Sequence, residues 1–218
     1  MSEAAEVDER FQKRPTKMKI LALELSSGRG SLAWRDGDFE WARQWPNDRK
    51  NSGDFFQNLA EAQKQFGPPA RIVVGLGPGS YAGTRIAISA AIGLQLATKA
   101  ELIGLSSLCA LECDAPAYAV LGDARRQTFF LAQVRDRIVS VPPALNNEAE
   151  LREALSALRD LVPVFATEEL RQFDGVTVRY PSAEILARLA AEKNREFVQP
   201  PLEPIYLREP HITIPRQR

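Results

Sequence analysis

Apolar and polar residues follow one another along the first half of the chain in a pattern typical of a mixed α/β lobe. Asp36-Gly37 marks a hairpin, because glycine accepts the positive φ that such a turn needs. Apolar positions at helical spacing predict helices over residues 54–66 and 84–98, and a short helix over 107–113. Short apolar runs predict strands at residues 20–25, 31–34, 39–44, 71–76 and 101–105. The predicted order is βββαβαβα.

The second half predicts another lobe after a boundary at Asp114-Ala115-Pro116. Asn147 is the expected N-cap of an amphipathic helix over 148–158, and Ser182 caps a helix over 182–193. Strands are predicted at residues 117–121, 128–134 and 162–166. The chain therefore divides into a polar, disordered extension over 1–17, a first lobe over 18–113 and a second lobe over 114–218.

The helix predicted over 84–98 is apolar on nearly every side, and alanines keep it thin. Such a helix is expected to be buried all round. Contact with a second subunit and enclosure between the sheet and the second lobe are both consistent with this pattern. The candidate partner-contact residues on the two long helices are Phe55, Leu59, Ala62, Ala87, Ala90, Ala91 and Leu94.

A glycine-rich loop connects the fourth predicted strand to this helix. Such a loop can present free N–H groups to an anion. Its spacing is neither GxxxxGK[ST] nor GxGxxG, and no lysine follows, which favours a tight turn that packs strand against helix. The residues of this loop that we single out are Gly75, Gly77, Pro78, Gly79, Ser80, Gly83 and Arg85.

Composition argues against several classes of function. With 28 basic and 28 acidic residues the chain lacks the basic surplus of a protein that grips nucleic acid alone, so Arg125-Arg126 is interpreted as a solvated hairpin edge. The sequence has a single histidine, His211, which argues against a Ser-His-Asp triad. That histidine and the two cysteines, Cys109 and Cys113, are too few for a metal site built from His and Cys ligands. The sequence contains neither an apolar run long enough for a membrane span nor the apolar core of a secretory signal, so a cytoplasmic protein is expected.

Residues 77–87, GPGSYAGTRIA, resemble the GPGS(F/Y)TG(L/V)RIG signature of the TsaB (YeaZ) family. The segments ILALELS, GLSSL, DARRQTFF and PIYLR are similar to further family segments in the same order, so the resemblance spans residues 20–208. Three positions depart from the family pattern: Glu24 stands for aspartate, Ala82 for threonine and Asn51-Ser52 for His-Ser. The last departure puts any histidine-dependent role of that loop in doubt.

The resemblance implies the actin/Hsp70/sugar-kinase (ASKHA) fold, with two ribonuclease H-like lobes of which the second is reduced. It implies a non-catalytic scaffold that acts with TsaD and TsaE to form N6-threonylcarbamoyladenosine at position 37 of tRNAs that read ANN codons. The implied partners are TsaD, through the two long helices, TsaE in the larger complex, and tRNA indirectly. A homodimer is expected in isolation. The resemblance implies no metal or cofactor for the isolated chain. It implies ATP or ADP only for the assembled complex.

One alternative is an ATP-binding enzyme of the sugar-kinase type with an incomplete cleft. Glu24, Ser26 and Ser27 would form its remnant nucleotide site, and Glu24 would hold Mg²⁺ through water. Asp123 offers a second acidic residue, but Ala124-Arg125-Arg126 follows where a phosphate hairpin needs glycines. Catalysis needs the whole constellation, which favours a degenerate remnant. A third hypothesis is a module that binds tRNA directly.

Overall fold

The first lobe is built on a five-stranded sheet. The computed structural model describes residues 18–47 and 52–208, so the predicted extension over 1–17, Asn51 and His211 lie outside the described residues. The elements are β1 (Lys19–Glu24), β2 (Arg29–Asp36), β3 (Phe39–Pro46), α1 (Gly53–Phe66), β4 (Arg71–Gly75), α2 (Tyr81–Thr98) and β5 (Glu101–Leu105). A 3₁₀ helix, Ser107–Ala110, follows where a longer helix was expected. The strand order is β3-β2-β1-β4-β5.

Strand β1 lies at the centre of this sheet and is buried on both faces. It pairs antiparallel with β2, where Leu23 opposes Leu32, and parallel with β4, where Leu23 opposes Val74. A strand covered on both sides reads as a continuous apolar run, which explains the sequence pattern of β1 and β4. Helices α1 and α2 pack on one face of the sheet in a shared apolar cluster.

The second lobe holds another five-stranded sheet, in the order β10-β9-β6-β7-β8. The elements are β6 (Ala117–Asp123), β7 (Thr128–Arg135), β8 (Ile138–Asn147), α3 (Glu148–Leu158), β9 (Val164–Ala166), β10 (Thr177–Val178) and α4 (Ala183–Leu189). The sequence did not predict β8 or β10. Pro142 and Pro143 lie within β8, and proline is tolerated there because β8 is an edge strand.

The chain returns to the first lobe after the second sheet. Helix α4 contacts β1 and β2 and fills the face of the first sheet opposite α1 and α2, so this part of 114–218 does not belong to the second lobe. The following segment runs between the lobes. Leu202 packs in the first-lobe core, the Ile205 N–H donates to the Leu76 carbonyl at 2.8 Å, and Leu207 packs on the second-lobe core. Among the described residues, no helix is long and apolar enough to cross a membrane.

Candidate functional site

The glycine-rich loop between β4 and α2 is pressed against the turn that follows β1. The Ser80 N–H donates to the Ser26 carbonyl at 2.6 Å. A Cβ atom at Gly79 would lie 2.1 Å from the carbonyl oxygen of Ser26, and one at Gly83 would lie 2.1 Å from that of Leu25. Neither backbone can yield by that much, so both positions require glycine. The contacts support the interpretation of the loop as a tight packing turn.

Several N–H groups of this loop have hydrogen-bond partners within the chain. The Gly77 N–H donates to Ser107 Oγ at 3.0 Å, and the Gly83 N–H donates to Ser80 Oγ at 3.3 Å. The Thr84 N–H donates to the Ser80 carbonyl at 3.0 Å. An anion at these N–H groups would have to displace their bonds, which argues against a phosphate site formed by them.

Glu24 lies beneath the loop and is fully buried. Its Oε1 accepts the Ser26 N–H at 2.7 Å, and Gly75 passes so close that a Cβ there would lie 1.8 Å from Oε2. Burial raises the pKa of the Glu24 carboxyl, and hydrogen bonds from Ser26 and Ser107 oppose the rise only in part. The enclosure of the carboxyl argues against the expectation that Glu24 holds Mg²⁺ through water, and Glu24 is not among the residues that line the cavity between the lobes.

A cavity of about 480 Å³ lies between the lobes, where the ATP-binding alternative requires a nucleotide. Ser26 and Ser27, two of the three proposed remnant residues, line it. From the glycine-rich loop, Gly79 and Ser80 reach the wall. The segment 204–208 forms another wall of this cavity. No group of three or more His, Cys, Asp or Glu side chains in the described parts of the chain is placed to hold a metal ion.

The β6–β7 hairpin forms part of the second-lobe wall of the cavity, together with Thr167 and Glu168. The Asp123 carboxylate accepts the backbone N–H of Arg125 at 2.7 Å and its guanidinium at 2.8 Å. Arg125, Arg126 and Gln127 have φ values of 67°, 54° and 59°, a left-handed conformation that favours glycine. Asp123 is thus paired with an arginine, and the hairpin places arginine side chains where a phosphate hairpin would place glycines.

The structure corrects the predicted set of partner-contact residues. Ala90 is half-buried and is the one residue of the set that reaches the surface. The other six residues are buried in the core of the chain itself: Phe55, Leu59, Ala62, Ala87, Ala91 and Leu94. Their apolar character is explained by contact with the first sheet, and they are not available to a second subunit.

The outer face of α2 was not recognised from sequence. Ile92 and Leu96 are 42% and 67% exposed, and small residues, among them Ser89 and Gly93, lie beside them. Enclosure of the helix between the sheet and the second lobe is therefore wrong for the described part of the chain, and burial of the outer face by a second subunit stays a prediction. The sequence does contain a signal for this exposed face. Ser89 is polar, and Ile92 and Gly93 follow it by three and four positions, so they lie on the same side of the helix as this polar residue.

The chain is similar to a known protein family and to several known proteins. The family described as TsaD, tRNA N6-adenosine threonylcarbamoyltransferase, matches residues 55–203. Uncharacterised proteins of Mycobacterium tuberculosis (strain H37Rv) and Mycobacterium bovis are each 31% identical over 153 residues, which cover 70% of this chain and 70% of theirs.

Two solved structures from Pseudomonas aeruginosa share the fold. An uncharacterised protein with similarity to peptidase YeaZ matches with a TM-score of 0.71 and 22% identity, over 88% of this chain and 100% of that one. YeaZ itself matches with a TM-score of 0.68 and 21% identity, over 87% of this chain and 100% of that one. The predicted two-lobed α/β fold is confirmed.

Proposed function

The chain belongs to the TsaD family of tRNA N6-adenosine threonylcarbamoyltransferases and has the fold of YeaZ, and from that premise we propose that it is a non-catalytic, TsaB-type subunit of a tRNA-modifying complex. It assembles with TsaD and TsaE in the cytoplasm and supports formation of N6-threonylcarbamoyladenosine at position 37 of ANN-decoding tRNAs. The observation that carries the proposal is the apolar outer face of α2.

This face has the character of a protein contact. Helix α2 spans 18 residues and carries a single charged side chain, Arg85. Ile92 and Leu96 project outward, and Gly93 leaves open space where a side chain would stand. An apolar surface patch of this kind marks an interaction site, and a glycine at its centre lets a second helix approach closely.

The partner that we propose for this face is the related first lobe of TsaD. A lobe of the same family would offer helices in equivalent positions, so α1 and α2 would join them in a helical bundle across the interface. In the absence of TsaD, a second copy of this chain would cover the face and form a homodimer about a two-fold axis.

The interlobe cavity supports a non-catalytic role. The N–H groups of Gly77, Ser80 and Gly83 are occupied, and Asp123 is paired with Arg125. In the enzyme alternative, Asp123 would be the second acidic residue of the cleft, and free N–H groups of the loop would face an anion. We propose that ATP or ADP is held only by the assembled complex. Titration of the isolated chain with Mg-ATP is expected to show no turnover.

The interface is tested by placing a charge on the outer face of α2. In the Leu96→Glu variant, burial of the carboxylate against TsaD is expected to weaken the heterodimer by more than tenfold. The measurement is co-elution with TsaD on size-exclusion chromatography at a series of concentrations. Leu161→Glu is the matched control, because Leu161 is 74% exposed on the second lobe and the substitution is the same.

Two results would contradict the proposal. One is that the Leu96→Glu and Ile92→Glu variants both co-elute with TsaD as the wild type does, while circular dichroism shows that both variants are folded. The other is micromolar Mg-ATP binding with turnover by the isolated chain, which would favour the sugar-kinase alternative. Ala87→Glu and Ala91→Glu do not serve as interface tests, since both alanines are fully buried inside the chain.

A further inference from the structure

An exposed pair of aromatic rings lies at the mouth of the interlobe cavity. Tyr81 begins α2 and Tyr206 belongs to the C-terminal segment, and their ring centroids are 5.5 Å apart at an interplanar angle of 38°. The two residues remain 49% and 41% exposed, and both line the cavity. The Arg85 guanidinium lies 5.0 Å from the centre of the Tyr81 ring. We call Tyr81, Tyr206 and Arg85 the tyrosine lip.

The core of the chain does not require this arrangement. Neither tyrosine belongs to an apolar core cluster, although the neighbouring Ile205 and Leu207 do. Half-exposed aromatic rings brought together from distant segments each offer a flat apolar face with a polar hydroxyl group. A surface of this kind is suited to a planar ligand that stacks on it.

Charges of both signs lie near the lip. Glu203 is close enough to Tyr206 to interact with its hydroxyl group, Glu168 lines the same cavity, and arginine side chains flank it. Arg126 is exposed on the β6–β7 hairpin next to Arg125, which lines the cavity, and Arg208 lines the cavity two positions after Tyr206. In the described residues, neither of these guanidinium groups nor that of Arg85 has a carboxylate partner. Among the acidic groups nearby, Asp123 is paired with Arg125. The lip therefore combines ring faces with guanidinium groups that have no carboxylate partner in the described residues.

We propose that the tyrosine lip and its arginines bind a single-stranded segment of RNA. A base would stack on the exposed part of the tyrosine pair, and adjacent phosphates would contact Arg126 and Arg208. This inference rests on the proposed function only for the choice of RNA as the ligand, because the family acts on tRNA. The zero net charge of the chain predicts weak binding by the chain alone and stronger binding in the complex with TsaD.

Fluorescence anisotropy with a fluorescein-labelled (A)₁₂ RNA tests the proposal, at 50 mM KCl, with the full chain and with its complex with TsaD. Single-stranded RNA is expected to bind more tightly than the (A)₁₂·(U)₁₂ duplex, whose bases are not free to stack on the lip. Replacing both tyrosines by alanine should weaken binding roughly tenfold, and replacing both by phenylalanine should leave most of it. Phe39→Ala is the control, since Phe39 is an exposed aromatic residue on the distant edge strand β3.

The salt dependence separates phosphate contact from stacking. Arg126→Gln should reduce the slope of log K against log salt by about 0.7, the value for one contact to single-stranded nucleic acid. Arg171→Gln should leave the slope unchanged, because Arg171 is exposed and paired with Glu169 on another part of the second lobe. Size-exclusion chromatography with TsaD accompanies each variant, so that a loss of assembly is not read as a loss of RNA contact.

The proposal is overturned if the double alanine variant binds (A)₁₂ as the wild type does in the TsaD complex, or if wild-type protein binds the duplex as tightly as the single strand. Absence of wild-type binding in both preparations also overturns it. The outcome is independent of the interface test: tyrosine-dependent RNA binding by a chain that fails to join TsaD would support the lip and contradict the scaffold role.

Discussion

Helices α2 and α3 each pack on the sheet of their own lobe, but their outer faces differ. On α3, Leu151 and Leu155 are buried, and the exposed side carries Glu148 and Arg152 in an ion pair of 2.7 Å. Helix α2 buries its inner face equally well, yet its outer face carries apolar and small residues. The comparison indicates that the outer side of α3 faces water, and it supports the proposed protein contact of α2, because contact with the sheet explains only the inner faces.

The two helices also begin differently. Helix α3 starts with a complete capping box: the Glu150 N–H donates to Asn147 Oδ1 at 3.0 Å, and the Asn147 N–H donates to Glu150 Oε2 at 2.8 Å. Helix α2 has one longer cap bond from the Gly83 N–H to Ser80 Oγ and is held mainly by the packing of its glycine-rich loop. Local hydrogen bonds define the start of α3, and tertiary contacts define the start of α2.

The largest expected effects come from charges on the inner faces, where the two helices should behave alike. Ala91→Glu on α2 and Leu155→Glu on α3 each bury an unpaired carboxylate and should cost more than about 4 kcal/mol of folding free energy. Urea unfolding followed by circular dichroism measures this. A wild-type midpoint for Ala91→Glu alone would show that the inner face of α2 is not packed against the sheet.

The carboxyl beneath the α2 loop should give the protein a pH dependence that the α3 cap does not share. Above the ordinary pKa of 4.5 the unfolded chain releases the Glu24 proton while the folded chain retains it, so stability falls as the pH rises. Glu24→Gln mimics the neutral acid and should make the decline shallower above pH 4.5, with increased stability at neutral pH.

Urea midpoints between pH 4.5 and pH 8 measure the contribution of Glu24. Asn147→Ala serves as the control, because its cap lies on the surface and should shift the whole curve without changing its slope. Parallel curves for wild type and Glu24→Gln would mean that the buried carboxyl binds its proton no more tightly in the folded chain than in the unfolded one.

The smallest expected effects distinguish the two helix starts. Asn147→Ala removes a capping side chain and should destabilise the protein by about 1 kcal/mol. Ser80→Ala should cost less, because its cap bond is longer and has no reciprocal partner. The comparison uses urea unfolding at one pH. A larger loss for Ser80→Ala would show that the cap, and not the glycine packing, holds the start of α2.

The sequence predicted α3 best, and the reason is local. Its apolar spacing and the Asn147 cap lie within the helix and its first turn, and the observed bounds, Glu148–Leu158, are those predicted. Helix α2 begins at Tyr81, earlier than the predicted residue 84. Strand β8 was missed, because Pro142-Pro143 and exposed side chains conceal a strand that lies at the sheet edge.

The sequence predicted only those parts of the candidate site that lie within one continuous segment of the chain. The glycine-rich loop was recognised as a packing turn from its spacing. The enclosure of Glu24 depends on Gly75 at the end of β4 and on Ser107 at the start of the 3₁₀ helix, which reach it from other parts of the chain. The contact between the rings of Tyr81 and Tyr206 brings together two residues that lie 125 positions apart in the sequence. No sequence pattern relates two such positions, since their contact depends on where the chain crosses between the lobes.

The sequence by itself determined the family resemblance, the order of the first-lobe elements and the apolar character of α2, because composition and spacing are properties of single segments. The tertiary structure alone decided which apolar residues of α2 face the sheet and which face outward. It also decided that Glu24 is enclosed and that the C-terminal segment lines the interlobe cavity. Burial and proximity arise from contacts between distant parts of the chain, so they become visible only once the segments are packed together.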